Sequence, residues 1–185
     1  MFSPEEYKEA VQYFASSHTN YDIKNEGDDC ACVVFANLFL NAQKHIRMVA
    51  HTLRNAVVDS QQYQDSLDSF LARKDAKLEI LIHHLPETAN EGVVSNIYRR
   101  LSLNPASKEG RVEIKIAGQD RFFLANKPVN FCVADGLMYR LEDDIVKRTA
   151  ICNFGNKRRA EELESAFDRV FGCVTETVNL GNMFA

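Results

Sequence analysis

The dipeptide Asp135-Gly136 constrains this chain more than any other feature, because it stands between two β-rich apolar runs, Pro128 to Ala134 and Leu137 to Glu142. A two-residue type I′ hairpin turn needs φ > 0 at both central positions, and Asp-Gly adopts that at low steric cost. With Asp135 and Gly136 as the loop, Ala134 pairs with Leu137, Cys132 with Tyr139 and Phe131 with Arg140. Paired residues share a sheet face. The expected faces are Asn130, Cys132, Tyr139 and Leu141 on one side, and Phe131, Val133, Met138, Arg140 and Glu142 on the other. The acidic turn Asp143-Asp144 then returns a third run, Ile145 to Asn153, to complete an antiparallel meander.

The chain before this meander alternates helix and strand. Ser3-Pro4-Glu5-Glu6 reads as a capped helix start, and Tyr21 to Lys24 as a short extended piece. Asp28 or Asp29 caps a second helix, running to about Lys44, with Val34, Phe35, Leu38, Phe39 and Ala42 at three- and four-residue spacing. Ile46 to Leu53 reads as a strand, Asp59 or Ser60 as the cap of a third helix, and Leu78 to Ile82 as the next strand. A fourth helix spans about 87–103 and stops at Asn104-Pro105. Val112, Ile114 and Ile116 alternate with Glu113 and Lys115 in a half-buried strand. A last helix covers Lys157 to Phe171, and weak strand character follows around Val174 to Leu180. This order implies an α/β fold with a mixed sheet, parallel strands early and an antiparallel meander late.

At 185 residues and 45% hydrophobic, the chain suits one domain over 1–185: an N-terminal helix and extended arm at 1–29, a core at 30–171 and a tail at 172–185. Its net charge of −4 makes no general demand for a nucleic acid partner. No run approaches the roughly 18 to 20 apolar residues that span a bilayer. The first residues also lack the basic-then-apolar pattern of a leader, so the expected location is the cytoplasm. Five cysteines without paired spacing fit a reducing compartment. Cys30 and Cys32 form the single close pair, with neither a second such pair nor spaced histidines to complete a zinc site, so no metal and no cofactor is expected.

The helix leading into Ile46, the strand Leu78-Glu79-Ile80-Leu81-Ile82 ending in His83-His84, and the late hairpin together resemble one half of the phospholipase D superfamily over about 30–171. In that family the strand before the hairpin carries His-x-Lys-x₄-Asp, and residues i and i+2 of a strand face the same way, so nucleophile and phosphate-binding lysine converge. Aligning the aspartate on Asp135 puts Asn130 at the lysine position and Pro128 at the histidine position. Proline has no nucleophilic atom, and asparagine brings no positive charge. Glu142 and Asp143 stand where the family's Gly-Ser-x-Asn element would begin. The resemblance implies a single phospholipase D-like domain with helices on both faces. It also implies pairing as a homodimer and loss of the usual chemistry.

Ligands of open α/β sheets collect at the carboxyl ends of parallel strands. Those ends are His51-Thr52-Arg54, His83-His84 and Gly118-Gln119-Asp120-Arg121. The expected ligand-binding set is Arg54, His83, His84, Arg121, Asn130, Asp135 and Arg140, with Asp135 serving equally as an ordinary turn residue. Arg140 and Glu142 read either as a buried ion pair or as the rim of a pocket, the ion pair being expected. Glu142-Asp143-Asp144 reads as a solvated turn rather than a cation site. Cys132 reads as an inert core thiol. The leading expectation is a catalytically degenerate binding or interaction module for a phosphate-bearing ligand or a partner protein. One alternative is a metal-independent phosphodiesterase or nuclease using His51, His83 and His84. Arg99, Arg100, Lys108, Arg111, Lys115, Arg121 and Lys127, near Tyr98, Phe122 and Phe123, suggest nucleic acid, which is not favoured, or a membrane-peripheral adaptor. Lys157-Arg158-Arg159 opposes the dipole of the last helix unless Glu161, Glu162 and Glu164 compensate.

Overall fold

Ser3 and Glu6 close the capping box that their spacing promises, and helix α1 follows over Pro4–Ser16. The structure, a computed structural model, describes residues 3–53, 55–85, 96–118, 123–124 and 127–183. After α1 come strand β1 (Ile23–Glu26), helix α2 (Gly27–Asn41), strand β2 (His45–Ala50), the short helix α3 (Ala56–Asp59), helix α4 (Gln61–Leu71) and strand β3 (Lys77–Ile82). Helices α5 (Asn96–Leu103) and α6 (Pro105–Lys108) lead to strand β4 (Val112–Ile116). The two-residue strands β5 (Phe123–Leu124) and β6 (Lys127–Pro128) pair with each other. The meander is β7 (Phe131–Ala134), β8 (Met138–Asp144) and β9 (Thr149–Asn153), and helix α7 (Lys157–Phe171) follows.

Seven strands form one mixed sheet in the order β1-β9-β8-β7-β2-β3-β4. β2, β3 and β4 are mutually parallel, whereas β7 joins β2 antiparallel and β8, β9 and β1 continue that way. The tail extends the β4 edge through Val178 N–H to Ile114 O and Ile116 N–H to Glu176 O. One face packs Ile46, Leu78, Cys132 and Met138 under α1, α2, α4 and α5, and the other packs Val49, Leu81, Phe131 and Val133 under α7. The mixed α/β architecture with helices on both faces is as expected.

The hairpin departs from its expected register by one residue. Asp135 and Gly136 do take positive φ, +53° and +62°, and Leu137 N–H bonds Ala134 O at 3.1 Å. The paired residues, however, are Ala134 with Met138, Val133 with Tyr139, Cys132 with Arg140 and Phe131 with Leu141. Leu137 is the extra loop residue, and it packs on the helix-α2 core. A one-residue slip moves side chains to the opposite face. Arg140 and Met138 therefore lie with Cys132 on the α2 face, and Tyr139 and Leu141 lie with Phe131 on the α7 face.

Other boundaries shift for local reasons. Gly27, at φ +76°, starts α2 directly after β1; Asp28 and Asp29 sit in its first turn, and Glu26 at the N-cap makes no side-chain cap bond. The helix ends at Asn41 and β2 ends at Ala50. Asp144 Oδ1 accepts from Val146 N and Lys147 N, at 3.0 Å each, so the second turn lies at 145–148 and Asp143-Asp144 belong to β8. Asn104 caps α6 through Ala106 N–H, so the chain resumes helix at Pro105. The expected helix over 87–95 lies outside the described residues. Among the described residues, no helix is long and apolar enough to cross a membrane.

Candidate functional site

A cavity of about 350 Å³ opens where β2 ends, between the first turns of α2, the α3 segment and the β8–β9 arm. Arg140 projects into it from β8 and is only 6% exposed. Its Nε donates to Asn25 Oδ1 at 2.8 Å, and its guanidinium carbon lies 5.0 Å from the Phe35 ring centroid. The expected ion pair with Glu142 is not formed, and among the described residues no carboxylate lies within ion-pair distance of Arg140. Burial pulls its pKa below the usual guanidinium value, with Glu142 and neighbouring groups opposing. A buried guanidinium keeps its charge, so its two Nη groups remain donors facing the cavity.

Glu142 instead accepts from Asn130. Asn130 Nδ2 donates to Glu142 Oε2 at 2.6 Å, and Glu142 N donates to Asn130 O at 2.9 Å. The register slip places Glu142 on the Asn130 side, which the expected pairing kept apart. Asn130 Oδ1 is buried without a hydrogen-bond partner. Burial pushes the Tyr7 phenol far above its ordinary pKa. Asp28 and Arg148 pair across the mouth, with Arg148 Nη1 donating to Asp28 Oδ2 at 3.0 Å. Phe35, Met48, Val57 and Phe131 supply apolar wall, and Thr52 and Asn55 also line the cavity.

His51 lies on the rim of the same cavity. Its ring centroid is 4.6 Å from that of His84 and 5.6 Å from that of His83, so the three histidines expected at the ends of β2 and β3 do converge. Burial lowers the His51 pKa, and His84 and His83 lower it further. His83 is buried with Nδ1 3.1 Å from Gly118 O, and His84 Nδ1 is 2.9 Å from Leu85 O. Both imidazoles donate through Nδ1 to those carbonyl oxygens. Among the described residues no group of three or more His, Cys, Asp and Glu is arranged to hold a metal ion.

Asp135 does not join this site. Its carboxylate accepts from Gln43 N at 2.6 Å, Lys44 N at 3.0 Å and His45 N at 2.8 Å, at the opposite end of β2 from the cavity. It ties the hairpin turn to the α2–β2 connection, which is a structural task. Arg54 and Arg121 lie outside the described residues. Pro128 lies in β6, ahead of Asn130.

Much of the basic segment is committed locally. Arg100 binds Asp65, Asp68 and Gln64; Arg111 binds Glu109 and three backbone carbonyls; Lys115 sits 4.1 Å from the Phe171 ring centroid and donates to Phe171 O. Lys157, Arg158 and Arg159 pair with Glu161 and Glu162 along α7. Cys132 is fully buried and its thiol is pushed up to about 12 by burial, which matches an inert core residue.

Sequence reasoning identified Asn130, Arg140 and the histidines but missed Asn25, Phe35 and the Asp28–Arg148 pair. The only available signal was an Asn in a short strand and an aromatic on an apolar helix, neither distinctive.

No protein-family model and no curated protein matches the sequence. Solved structures do match in fold. The chain is similar to a phospholipase D family member, Nuc, from Salmonella typhimurium, at 12% identity and TM-score 0.58 over 85% of this chain and 98% of that one. It is similar to NucT from Helicobacter pylori at 8% identity and TM-score 0.60, covering 85% and 99%. TrmBL2, an archaeal chromatin protein whose structure shows a novel mode of DNA binding, matches at 14% identity and TM-score 0.57, covering 93% of this chain and 61% of that one. The chain has a phospholipase D-like fold.

Proposed function

We propose that this phospholipase D-like chain binds a phosphate-bearing ligand in the cavity at the end of β2 and does not act on it by the family's histidine mechanism. The observation that carries this reading is Arg140: a residue only 6% exposed that lines the cavity and has no ion-pair partner among the described residues. Burying such a charge without its counter-ion costs several kcal/mol, roughly, and a bound anion supplies the compensation. Aligned on Asp135, the nucleophile position is Pro128 and the lysine position is Asn130, so the usual attacking atom is missing. The neighbours include an archaeal chromatin protein described as binding DNA as well as a phospholipase D family member, and this supports a binding role on this fold.

The test has two arms. Calorimetric titration with inorganic phosphate should give saturable binding that Arg140→Met abolishes. Hydrolysis of a generic phosphodiester and of labelled single-stranded DNA and RNA, with EDTA present, should not exceed background.

A second reading, a relocated metal-free phosphodiesterase, is favoured by the contact of His51 with His84 and His83 on the cavity rim. It requires hydrolysis that disappears in His51→Ala and in His83→Ala/His84→Ala. A homodimer, as the fold resemblance suggests, is checked separately by analytical ultracentrifugation.

A further inference from the structure

Resting on the phosphate-binding reading, we infer that the ligand is a hydroxylated phosphomonoester, with its phosphate on Arg140 and a pair of vicinal hydroxyls on Asn130 and Glu142. Of the polar groups that line the cavity, Asp28 and Arg148 pair with each other, and Arg140 and Glu142 on β8 present opposite charges two residues apart. Arg140 offers donors at the buried end. Asn130 uses its amide N–H on Glu142 Oε2, which leaves Asn130 Oδ1 buried and unpartnered on a side chain bonded to the carboxylate. An orphaned amide oxygen joined to a carboxylate in this way fits a ligand group with two adjacent O–H donors. An anionic group is excluded from that end by the Glu142 charge, so the phosphate belongs at Arg140.

The spacing agrees with the size of such a molecule. Arg140 and Glu142 are i and i+2 on the same face of β8, hence about 7 Å apart along the strand. That is the order of the distance from a phosphate to the far hydroxyls of a pentose phosphate. A cavity of about 350 Å³ corresponds to about a dozen waters at ~30 Å³ each, far more than a bare phosphate fills. The apolar wall from Phe35, Val57 and Phe131 covers the carbon skeleton. Two sources share this chemistry, a free sugar phosphate and a ribonucleotide, whose base would extend past Ile145 at the mouth.

The full chain is titrated calorimetrically with inorganic phosphate, ribose 5-phosphate, tetrahydrofurfuryl phosphate (the same ring without hydroxyls), AMP and 2′,3′-dideoxy-AMP. The hydroxylated member of each pair should bind at least about tenfold more tightly, the effect of one hydrogen bond to a charged acceptor. Glu142→Gln should erase that difference. The tighter of ribose 5-phosphate and AMP assigns the source. Equal binding of the hydroxylated and hydroxyl-free compounds overturns the inference and leaves the phosphate reading standing. Absence of binding by every compound, phosphate included, overturns both. Circular dichroism of the Glu142→Gln variant separates misfolding from loss of recognition, and Asn130→Leu, which removes the other acceptor, should reproduce the loss of discrimination.

Discussion

Replacing Arg140 with Met separates a ligand-binding cation from a structural one. In a structural role, the guanidinium would hold a buried network, and its removal would destabilise by about 3–5 kcal/mol, as when one partner of a buried pair is deleted. The geometry gives a different sum. Met is close in length and fills the space beside Phe35, and replacing a buried charge that has no ion-pair partner among the described residues by an apolar group of similar volume gains about 1–4 kcal/mol. Against this stand the Nε bond to Asn25 Oδ1, whose loss strands an acceptor and costs about 1–3 kcal/mol, and the contact with the Phe35 ring, worth about 0.5–2 kcal/mol. These nearly cancel, so the ligand-free variant should lie within about 1 kcal/mol of the parent, a shift of roughly 2–4 °C in Tm for a chain of this size. With phosphate at about a hundred times its Kd the parent should gain about 2.7 kcal/mol, and Arg140→Met should gain nothing. Urea titrations with and without phosphate measure both quantities. A loss above about 3 kcal/mol without ligand, with phosphate stabilisation intact, would refute the reasoning and make Arg140 a structural residue.

Other outcomes follow from residues outside the cavity. Asp135→Ala should cost about 3 kcal/mol in urea melts, because it strands three backbone N–H groups and puts alanine at φ +53°; Asp135→Asn, which tolerates that conformation and keeps one acceptor, should cost less than half as much. Glu79 is buried, which alone would raise its pKa, but bonds from His45 and Lys77 hold it at about 2, against 4.5 when free. The folded pKa is depressed, so the stability it contributes is present above pH 4.5 and lost as pH falls toward 2, about 3 kcal/mol at most. Parent urea melts should show that loss between those pH values, and Glu79→Gln should lack that component. Gly155→Ala should destabilise by several kcal/mol by thermal melt, since its Cβ would lie 2.1 Å from His18 O and 2.8 Å from Asn20 N, both backbone atoms; a variant as stable as the parent would disprove that clash.

Local chemistry made much of this fold legible in the sequence. The capping box at Ser3, the Ser60 cap of α4, the alternation of β4 and the apolar spacing of α2 each follow from groups close together in the chain. The Asp-Gly hairpin was legible for the same reason, as turn dihedrals depend on two residues. Its register was not, because a three-residue loop with Leu137 packed inward is decided by the α2 core and by the Asp135 clamp to 43–45, both distant in sequence.

The candidate site divides the same way. Sequence placed the three histidines at the ends of β2 and β3, since strand ends are local. It also placed Asn130 and Arg140 near the hairpin. The pairing of Asn130 with Glu142, the contacts of Arg140 with Asn25 and Phe35, and the removal of Asp135 to the other end of the sheet depend on which strands are neighbours and in what register. Sequence by itself determined the element types, the α/β order and the absence of a histidine and a lysine at positions 128 and 130, because these are properties of adjacent residues. Only the tertiary structure decided that Arg140 lies buried in a cavity without a carboxylate partner among the described residues, because a one-residue slip between β7 and β8 exchanges the faces on which the β8 side chains lie.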